Sequence, residues 1–407
     1  MRFKPDYKLS KKLNGHAILE VIKRYGPVSK REILQRTNLT RPTIDTFINE
    51  LLSKGFIKES GFSESTTGRR AKLLSFNAEG GYAVGVDLGI PNLETVVTNL
   101  AGEIINKQSQ KIEENDRPDK VIDKITKSIE EATEDIPEDK IFGIGIVVPG
   151  LIDKEKGKSV IIERMKHWEN VSIVKILTSR FSKPVYLEDD ANAVALAEAQ
   201  VSNGKMGKDF ICISLRKTRG LGCGIVSDNR LFYGSTGNAG VLGHITIDLD
   251  GPYCKCGNRG CLETYFSEDT ISEKIASLSK SKDIPSSLKD RLKERRVDIL
   301  TISQLSEEGF DFAKEIQKEI GEVLGIGISN LIQLFDIENV LLGIDLALMN
   351  RTFLKIVQGS VNKRLAKMGR KVNLQYTKLK ENQGSIGAAT LVLEEVFKPP
   401  EVAHHFR

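Results

Sequence analysis

The sequence lacks a long hydrophobic run and contains few cysteines, histidines and tryptophans. Of 407 residues, five are cysteine, five are histidine and one is tryptophan. The longest apolar stretch, near residues 141–152, is interrupted by two glycines and by Pro149-Gly150, so it is too short to span a bilayer. The first residues show no apolar segment of the kind found in a secretion signal. We therefore expect a soluble cytoplasmic protein that has no membrane partner and no disulfides, because reducing compartments disfavour them.

The length and the charge distribution both indicate more than one domain. A chain of 407 residues is long for a single domain and suits two or three. Residues 1–80 contain 16 Lys/Arg and 8 Asp/Glu, whereas the remainder contains 44 and 47. A basic front segment on a slightly acidic remainder suggests that only the front segment contacts a polyanion. Solvated lysines alone could produce the same imbalance, so a motif is needed as well.

Three of the five cysteines lie within eight positions, at Cys254, Cys256 and Cys261, and His244 precedes the first of them by ten residues. Three thiolates and one imidazole complete a tetrahedral shell for a structural zinc, and they leave no open position for a catalytic one. The glycines around these residues and Pro252 permit the tight turns that such a site needs. A buried, metal-free cluster of reduced cysteines is the alternative.

The same stretch resembles the signature of the ROK family, which groups sugar-responsive repressors with sugar kinases. Gly243-His244 is followed by Cys-x-Cys-Gly-x-x-Gly-Cys-Leu-Glu. The likeness extends over about residues 82–395, and the repressor branch, which includes xylose-repressor-like and N-acetylglucosamine-repressor-like proteins, also accounts for the part before it. The resemblance implies an α/β fold, namely a two-lobed, actin-like ATPase (ribonuclease H-like) domain. It also implies a zinc on His244 and the three cysteines, with a sugar pocket beside the zinc.

Residues 1–78 have the pattern of a winged helix-turn-helix domain. Apolar residues at helical spacing predict a first helix over residues 10–25. Ser29 and Glu32 form a capping box that starts a second helix, and Thr40 is placed to cap a third. Two short helices joined by a tight turn are typical of proteins that enter the major groove of DNA. A three-helix domain that binds protein, or only packs on the remainder, is the alternative.

Two predicted strands, residues 55–59 and 71–76, flank a wing that ends in Gly68-Arg69-Arg70. Arginines beside a glycine suit a narrow, electronegative minor groove, and the wing of ROK repressors carries a similar Gly-Arg pair. Phosphate contacts position such a domain, whereas base contacts read the sequence. We assign base contacts to Arg41, Thr43 and Thr46, minor-groove contacts to Arg69 and Arg70, and phosphate contacts to Lys30 and Arg31.

The remainder of the chain is expected to form two lobes, as the resemblance implies. Residues 79–198 form the first lobe, which a closing helix at 384–397 completes. Residues 199–383 form the second lobe, with the zinc site and the helices of an oligomer interface. We expect a homodimer or homotetramer, because paired winged helices read palindromic half-sites on double-stranded operator DNA.

Three elements that bind nucleotide in ROK kinases are altered here. After the Asp-x-Gly that begins at Asp87, the kinases supply glycines and a hydroxyl residue, whereas this chain has Ile90-Pro91-Asn92. Proline has no N–H to donate to a phosphate. Arg219 stands at the position of a kinase threonine, and Ile344-Asp345 replaces glycines that face adenosine. Together the three changes indicate that ATP is not used.

The sugar side is better kept, although Val241 replaces a glutamate that holds a sugar hydroxyl and Asp189 replaces an asparagine. Asp190 matches the general base of the kinases, and without a phosphoryl donor only its binding role remains. Alternatively, Asp190 caps the helix that follows it, and Glu263 is a solvated carboxylate or one that supports the metal site. The residues that the resemblance assigns to the sugar are Pro149, Gly150, Asp189, Asp190, His244 and Glu263.

These patterns predict a DNA-binding transcriptional regulator, a repressor of carbohydrate-utilisation genes, and not an enzyme. Its effector is expected to be a monosaccharide or a sugar derivative bound in a kinase-like domain that has no working ATP site. Its cofactor is expected to be a structural Zn²⁺. Two alternatives remain open: a sugar kinase that carries a DNA-binding head, and a regulator that senses a protein partner instead of a sugar.

Overall fold

The computed structural model describes residues 7–64, 70–162, 164–202, 206–216, 220–278, 284–379 and 381–398. Within these ranges a helical head is followed by two regions that are each built on a five-stranded sheet. We call residues 7–76 the head, the region of the first large sheet lobe 1 and that of the second lobe 2. No helix in the described ranges is long and apolar enough to cross a bilayer. Arg69 and Arg219, to which the sequence analysis assigns roles, lie outside them.

The head is a helix bundle followed by a small antiparallel sheet. Its elements are α1 (Tyr7–Tyr25), β1 (Val28–Ser29), α2 (Lys30–Thr37), α3 (Arg41–Ser53), β2 (Ile57–Phe62) and β3 (Lys72–Phe76). Ile18 and Ile22 of α1, Ile33 of α2 and Ile44 of α3 share one core. The sheet order is β1-β3-β2. Sequence patterns do not predict β1, because two residues are too few to show alternation.

The starts of the second and third helices differ in how they are capped. At α2 the predicted capping box is confirmed: the backbone N–H of Ser29 donates to Glu32 Oε2 at 2.7 Å, and the N–H of Glu32 donates to Ser29 Oγ at 3.3 Å. Thr40 is the N-cap residue of α3, as predicted, and its carbonyl oxygen accepts the backbone N–H of Ile44 at 3.0 Å. Its side chain makes no cap bond, and its hydroxyl lies 2.8 Å from the hydroxyl of Thr43.

Lobe 1 has a mixed sheet with the strand order β11-β7-β4-β5-β6 and a side sheet of β8, β9 and β10. Its apolar core lies between the large sheet and the helices α4 and α5, and it surrounds the fully buried Trp168. The elements are β4 (Tyr82–Leu88), β5 (Asn92–Asn99), β6 (Ile104–Lys111), α4 (Pro118–Thr133), β7 (Ile141–Val148), β8 (Leu151–Asp153), β9 (Lys158–Ile161), β10 (Glu169–Val171), α5 (Ile173–Phe181) and β11 (Val185–Asp189).

Lobe 2 repeats the same sheet plan, with the strand order β14-β13-β12-β15-β16. In each sheet the three strands that come first in the chain pair antiparallel with one another. The two strands that come later in the chain are added in parallel at one edge. The remaining elements are α6 (Asp190–Ser202), β12 (Phe210–Arg216), β13 (Gly220–Ser227), β14 (Arg230–Leu231), α7 (Glu268–Leu278), α8 (Ser286–Lys293), α9 (Ile299–Glu307), α10 (Asp311–Phe335), β15 (Asn339–Ile344), α11 (Arg351–Leu365), β16 (Asn373–Tyr376) and α12 (Gln383–Phe397).

Helices α6 and α12 lie between the two sheets and pack on each other. Glycines allow this close approach. A Cβ at Gly145 of β7 would lie 1.8 Å from the carbonyl oxygen of Ala388, and one at Gly387 would lie 1.9 Å from that of Ala193. Neither position has room for a side chain. The first half of α12 can therefore lie directly against lobe 1 and against α6. The predicted fold class, a winged helix-turn-helix followed by a two-lobed α/β domain, is confirmed.

The linker between the head and lobe 1 forms hydrogen bonds with both of them. The Asn77 amide donates to the Gly55 carbonyl oxygen in the head at 2.8 Å. The backbone N–H of Leu100 in lobe 1 donates to the Ala78 carbonyl oxygen at 2.9 Å, and the Asn99 amide donates to Glu79 Oε1 at 2.9 Å. A short 3₁₀ turn, Ala78–Gly80, connects these contacts. The head is therefore fixed to lobe 1 by its own linker.

Candidate functional site

The clearest site is a cluster of His244, Cys254, Cys256 and Cys261 in lobe 2. One donor atom from each lies within 4.8 Å of every other. The sulfurs of Cys256 and Cys261 are 3.7 Å apart, and Cys254 Sγ is 3.6 Å from His244 Nδ1. Zn–S bonds of about 2.3 Å in a tetrahedron give sulfur–sulfur separations of roughly 3.8 Å. The donor set and its spacing therefore fit a closed, four-coordinate metal ion.

The loop that carries the three cysteines is shaped by glycine and by short bridges. Thr246 pairs with Cys261, and Tyr253 pairs with Arg259, as isolated β-bridges. Gly260 has a φ of +63°, and a Cβ there would lie 1.6 Å from the carbonyl oxygen of Asp248. Any other residue would push this turn open, so glycine is required for the cysteines to converge.

The thiols of the cluster differ in acidity. Burial raises the pKa of Cys254 to about 12. The backbone N–H of Asn258 lowers the pKa of the exposed Cys256 to about 7. A bound divalent cation deprotonates its thiol ligands, so metal binding would release protons and depend on pH.

Glu263 lies against this cluster. Its Oε1 is 3.4 Å from His244 Nδ1 and 3.5 Å from Cys254 Sγ. Its Oε2 occupies the space beside Gly220 and Gly243, since a Cβ at either glycine would lie within 2.9 Å of that oxygen. Nδ1 of His244 is thus the ring nitrogen that lies against both Cys254 and Glu263.

Asp189 and Asp190 stand where β11 passes into α6. Asp189 Oδ1 accepts the backbone N–H of Asn192 at 2.9 Å, and Oδ2 accepts the Asn192 amide at 2.6 Å. The helix-capping role considered for Asp190 is thus performed by Asp189. Burial, and next the charge of Glu188, raise the pKa of Asp189 well above its usual range. Asp190 is the first residue of α6.

Two further predicted sugar contacts, Pro149 and Gly150, form the turn after β7. Pro149 is buried and Gly150 is exposed. Gly150 has a φ of +82°, and a Cβ there would lie 2.2 Å from the Ile161 carbonyl oxygen. Val241 is 51% exposed at the start of the turn that carries His244, and its side chain offers no hydrogen bond.

On the nucleotide side, the loop after β4 is closed into lobe 1. Ile90 is 8% exposed and belongs to the core of lobe 1. The Pro91 carbonyl oxygen accepts the backbone N–H of Ile112 at 2.7 Å. At the adenosine turn, Ile344 has a φ of +54°, which is strained for a β-branched residue. This side presents packed side chains where phosphate binding needs free backbone N–H groups.

Sequence patterns do not reveal two contacts between the lobes. Arg216, the last residue of β12, places Nη2 2.9 Å from Asp87 Oδ2. Tyr233 of lobe 2 donates its hydroxyl to Glu188 Oε2 at 3.1 Å, and Lys154 Nζ lies 2.5 Å from the same oxygen. Such pairs join residues far apart in the chain. The only signal that the sequence gives for such contacts is a charged residue near one end of each apolar strand.

In the head, the predicted DNA contacts lie on α2, α3 and the wing. Arg31, Arg41 and Thr46 are exposed, whereas Thr43 is half-buried. Lys30 Nζ is 2.5 Å from Asp45 Oδ1, which connects the start of α2 to α3. Of the two wing arginines, Arg70 is exposed and Arg69 lies outside the described residues.

A winged helix in front of two lobes with duplicated sheets, and a His/Cys₃ cluster in the second lobe, define a class of two-part proteins with a kinase-like body. The chain belongs to the ROK family, whose model matches residues 83–395. A model described as "Winged helix-turn-helix DNA-binding" matches residues 14–58. The ROK match spans most of both lobes, whereas the winged-helix match runs from within α1 to residue 58 and ends before β3.

Several relatives are similar over nearly the whole chain. The xylose repressor of Caldicellulosiruptor bescii is 32% identical over 98% of this chain and 100% of its own length. The xylose repressor of Bacillus subtilis is 29% identical over 96% and 97%. The DNA-binding transcriptional dual regulator NagC of Escherichia coli is 28% identical over 94% and 93%.

The solved structures that resemble this chain include a regulator and a kinase. A ROK family transcriptional regulator, a homologue of the E. coli MLC protein, matches with a TM-score of 0.79 and 26% identity over 95% of this chain and 97% of its own. The ROK hexokinase of Thermus thermophilus has a TM-score of 0.64 and 25% identity, and it covers 77% of this chain and 99% of its own. The regulator thus matches the chain with its head, whereas the kinase matches only part of it.

Proposed function

We propose that this protein is a transcriptional repressor of carbohydrate-utilisation genes that a sugar controls. The observation that carries the proposal is the combination of a DNA-binding head with a kinase-like body whose nucleotide side is closed by Ile90 and Pro91. The named repressors match nearly the whole chain. We further propose that the protein works in the cytoplasm as a homodimer or homotetramer.

The head binds operator DNA through α3 and the wing in this proposal. Arg41, Thr43 and Thr46 read base edges, because α3 carries them towards its N-terminal end, where a recognition helix meets the major groove. Lys30 and Arg31 contact phosphate at the start of α2, where backbone N–H groups also favour anions. The wing arginines, Arg69 and Arg70, enter the minor groove.

The cleft between the lobes binds the sugar in this proposal. The carboxylates of Asp189, Asp190 and Glu263 accept sugar hydroxyls, Nε2 of His244 donates one hydrogen bond, and the Pro149-Gly150 turn supplies backbone contacts. D-Xylose is the first candidate effector, because full-length relatives are named xylose repressors. Val241 removes one expected acceptor, which fits an altered choice of sugar.

His244, Cys254, Cys256 and Cys261 would hold a structural Zn²⁺, which supplies a fixed crosslink and no open coordination position. The metal would fix the ring of His244 and its tautomer, so that Nε2 stays a hydrogen-bond donor. Glu263 would keep its position beside the ring. The zinc site would thus shape one wall of the sugar cleft.

Control of DNA binding needs a sugar that binds one arrangement of the lobes better than another. The head is joined to lobe 1, whereas His244 and Glu263 belong to lobe 2. A sugar held between Asp190 of the first wall and His244 of the second changes the angle between the lobes. In an oligomer this angle sets the spacing of the two heads on the half-sites.

We also propose that the protein does not phosphorylate its sugar. Pro91 has no N–H, Ile90 fills the loop, and Ile344 replaces a glycine at the adenosine turn. Asp190 keeps the position of a general base without a phosphoryl donor to act on. The kinase alternative requires ATP on a surface that offers it few donors.

One experiment tests the whole proposal. Operator DNA is selected from a random library with the full-length, zinc-loaded protein, and its affinity is then measured by fluorescence anisotropy with D-xylose, N-acetylglucosamine or D-glucose. We expect one sugar to change the operator Kd by about 10-fold or more, a typical allosteric coupling. ADP formation is measured with the same sugars and ATP. Sugar-dependent ADP formation, or no affinity for any selected duplex, would contradict the proposal.

A further inference from the structure

The contact between Arg216 and Asp87 crosses the cleft at its nucleotide side. Arg216 ends β12 of lobe 2, and Asp87 lies near the end of β4 in lobe 1. Their nearest atoms are 2.9 Å apart. The side chain of Asp87 is 2% exposed and that of Arg216 is 19% exposed, so solvent screens the pair weakly. Like the contact between Tyr233 and the buried Glu188, this pair joins the two lobes.

The charges around Arg216 connect both sides of the cleft. Burial alone would lower the pKa of Arg216, but the charges of Asp87, Asp190 and Glu94 raise it. The Nε of Arg216 is buried without a hydrogen-bond partner among the described residues. Arg216 therefore stands as a fixed cation between the carboxylate of the altered phosphate loop and a carboxylate of the proposed sugar site.

Helix α12 begins at this contact. A Cβ at Gly384, in the first turn of α12, would lie 2.1 Å from Asp87 Oδ2 and 2.8 Å from Arg216 Nη2. Only glycine allows the helix to start so close to the pair. With 15 residues, α12 reaches about 22 Å from this point.

The other end of α12 lies in the head. The ring of Phe397 is 5.9 Å from that of Phe56 and 6.0 Å from that of Phe76, and Lys23 Nζ lies 4.8 Å from the ring centre of Phe397. Phe56 also contacts Phe142 of lobe 1 at 5.7 Å. The head thus moves with α12 and lobe 1, and its position relative to lobe 2 depends on what joins the lobes.

We propose that Arg216 is a positioning residue that ties lobe 2 to lobe 1 through Asp87, taking the place of a ligand bound between them, and thereby sets where the head stands. The inference rests on the proposed function for its biological meaning. In this proposal the pair restrains the angle between the lobes on the side where a kinase would bind nucleotide. Sugar binding at Asp190 then acts on a cleft that is already held at its other side.

The test compares Arg216→Met with Arg216→Lys and with a matched control, Arg180→Met. Arg180 also pairs with an aspartate, Asp123, at 3.0 Å, but both residues belong to lobe 1. Spin-labelled non-canonical amino acids replace the exposed Lys107 in lobe 1 and Lys355 in lobe 2, which leaves the cysteines unmodified. Electron–electron resonance then measures the distance between the lobes in the full-length, zinc-loaded protein.

We expect a narrow distance distribution for the wild type and for Arg180→Met, and a broader, longer one for Arg216→Met. Arg216→Lys should be intermediate, because a lysine keeps the charge but loses the planar fork of donors. With selected operator DNA, Arg216→Met should lose at least about two-thirds of the sugar-induced change in log Kd. The control Arg180→Met should keep the full change. An unchanged distribution in Arg216→Met would overturn the inference.

Folding failure is covered by a second variant. If Arg216→Met shows no cooperative thermal transition, Asp87→Asn is measured in the same way and should broaden the distribution. Where both single variants fold, the double variant should be no broader than either single one, because both remove the same pair. Additive broadening would count against the pairing. If none of D-xylose, N-acetylglucosamine and D-glucose changes the operator Kd of the wild type, the proposed function is wrong. The distance measurement still decides the role of Arg216 in that case.

Discussion

The proposed sugar side and the proposed nucleotide side of the cleft differ in the chemistry of their side chains. On the sugar side, Asp190, Glu263 and His244 place polar atoms at the ends of ordered turns. On the nucleotide side, Ile90 is packed into the core and Asp87 is paired with Arg216. Both sheets nevertheless keep the same strand order. The comparison teaches that a ligand site can be closed by local side chains while the frame around it stays intact.

The two sides also differ in what stabilises them. The cysteine loop of the sugar side buries few apolar side chains of its own, and Leu249 and Tyr253 in it are 83% and 78% exposed. The nucleotide side is continuous with the cores of both lobes. A metal can substitute for a hydrophobic core where the loop is short. The sugar side should therefore depend on zinc, and the nucleotide side on burial.

The largest expected effect comes from breaking the metal site. Cys256→Ser removes one thiolate, and by comparison with zinc-finger peptides, where the metal supplies about 10–16 kcal/mol of apparent binding energy, the variant should lose zinc and unfold lobe 2 at lower denaturant. Zinc content by mass spectrometry and urea unfolding measure both effects. The exposed neighbour Lys255→Ala is the control and should keep the metal. A zinc-free Cys256→Ser protein of full stability would remove the contrast between the two sides.

Burial of a carboxylate on α6, the helix packed between the two sheets, should appear as a pH dependence of stability. Glu198 on α6 is 4% exposed, and burial raises its pKa from 4.5 to about 7. The folded state therefore holds the proton more tightly than the unfolded state, so this stabilisation is complete below about pH 4.5 and is lost as the pH rises through 7. Relative to Glu198→Gln, the wild type should lose up to about 3 kcal/mol of unfolding free energy between pH 4.5 and pH 8.

Urea unfolding across this pH range measures the difference, with the exposed Glu130→Gln as a control that should follow the wild type. Parallel pH profiles for Glu198→Gln and wild type would show that this carboxylate carries no burial cost.

The sugar side can be sharpened with Asp190→Asn. The exchange keeps the shape of the side chain but replaces a charged acceptor, and hydrogen bonds to charged groups contribute about 1.5–3 kcal/mol. We expect the affinity for D-xylose, measured by calorimetry, to fall about 10-fold to 100-fold. Asp153→Asn, whose aspartate pairs with Lys156 away from the cleft, should bind as the wild type does. Equal affinities for Asp190→Asn and wild type would move the sugar elsewhere.

The smallest effect concerns the wing. Arg69→Ala with Arg70→Ala should reduce the slope of log Kobs against log salt by up to about 2, because binding releases fewer counterions for each cationic side chain lost from the groove. Operator binding between 50 and 200 mM salt, roughly the range in which such contacts are felt, measures the slope. Exchange of the exposed lobe 1 residues Lys107 and Lys127 for alanine is the control. A salt slope that the wing variant leaves unchanged would exclude the wing from the DNA.

The elements that depend on neighbours in the chain are predictable from sequence. The capping box of Ser29 and Glu32 needs residues three positions apart, and the structure forms it as expected. The four candidate metal ligands lie within 18 positions, so their spacing already implies a site, and the structure brings them together. By contrast, Thr40 occupies the predicted N-cap position, but its hydroxyl pairs with that of Thr43 and makes no cap bond to α3.

The sequence by itself determined the secondary-structure pattern of the head, the family and the ligand-type residues near His244, because these are set by local spacing and residue chemistry. Only the tertiary structure decided that Arg216 meets Asp87 across the two lobes. The reason is that partners more than 100 positions apart are chosen by how the two lobes pack. No periodicity or spacing within the chain encodes that packing in a readable form.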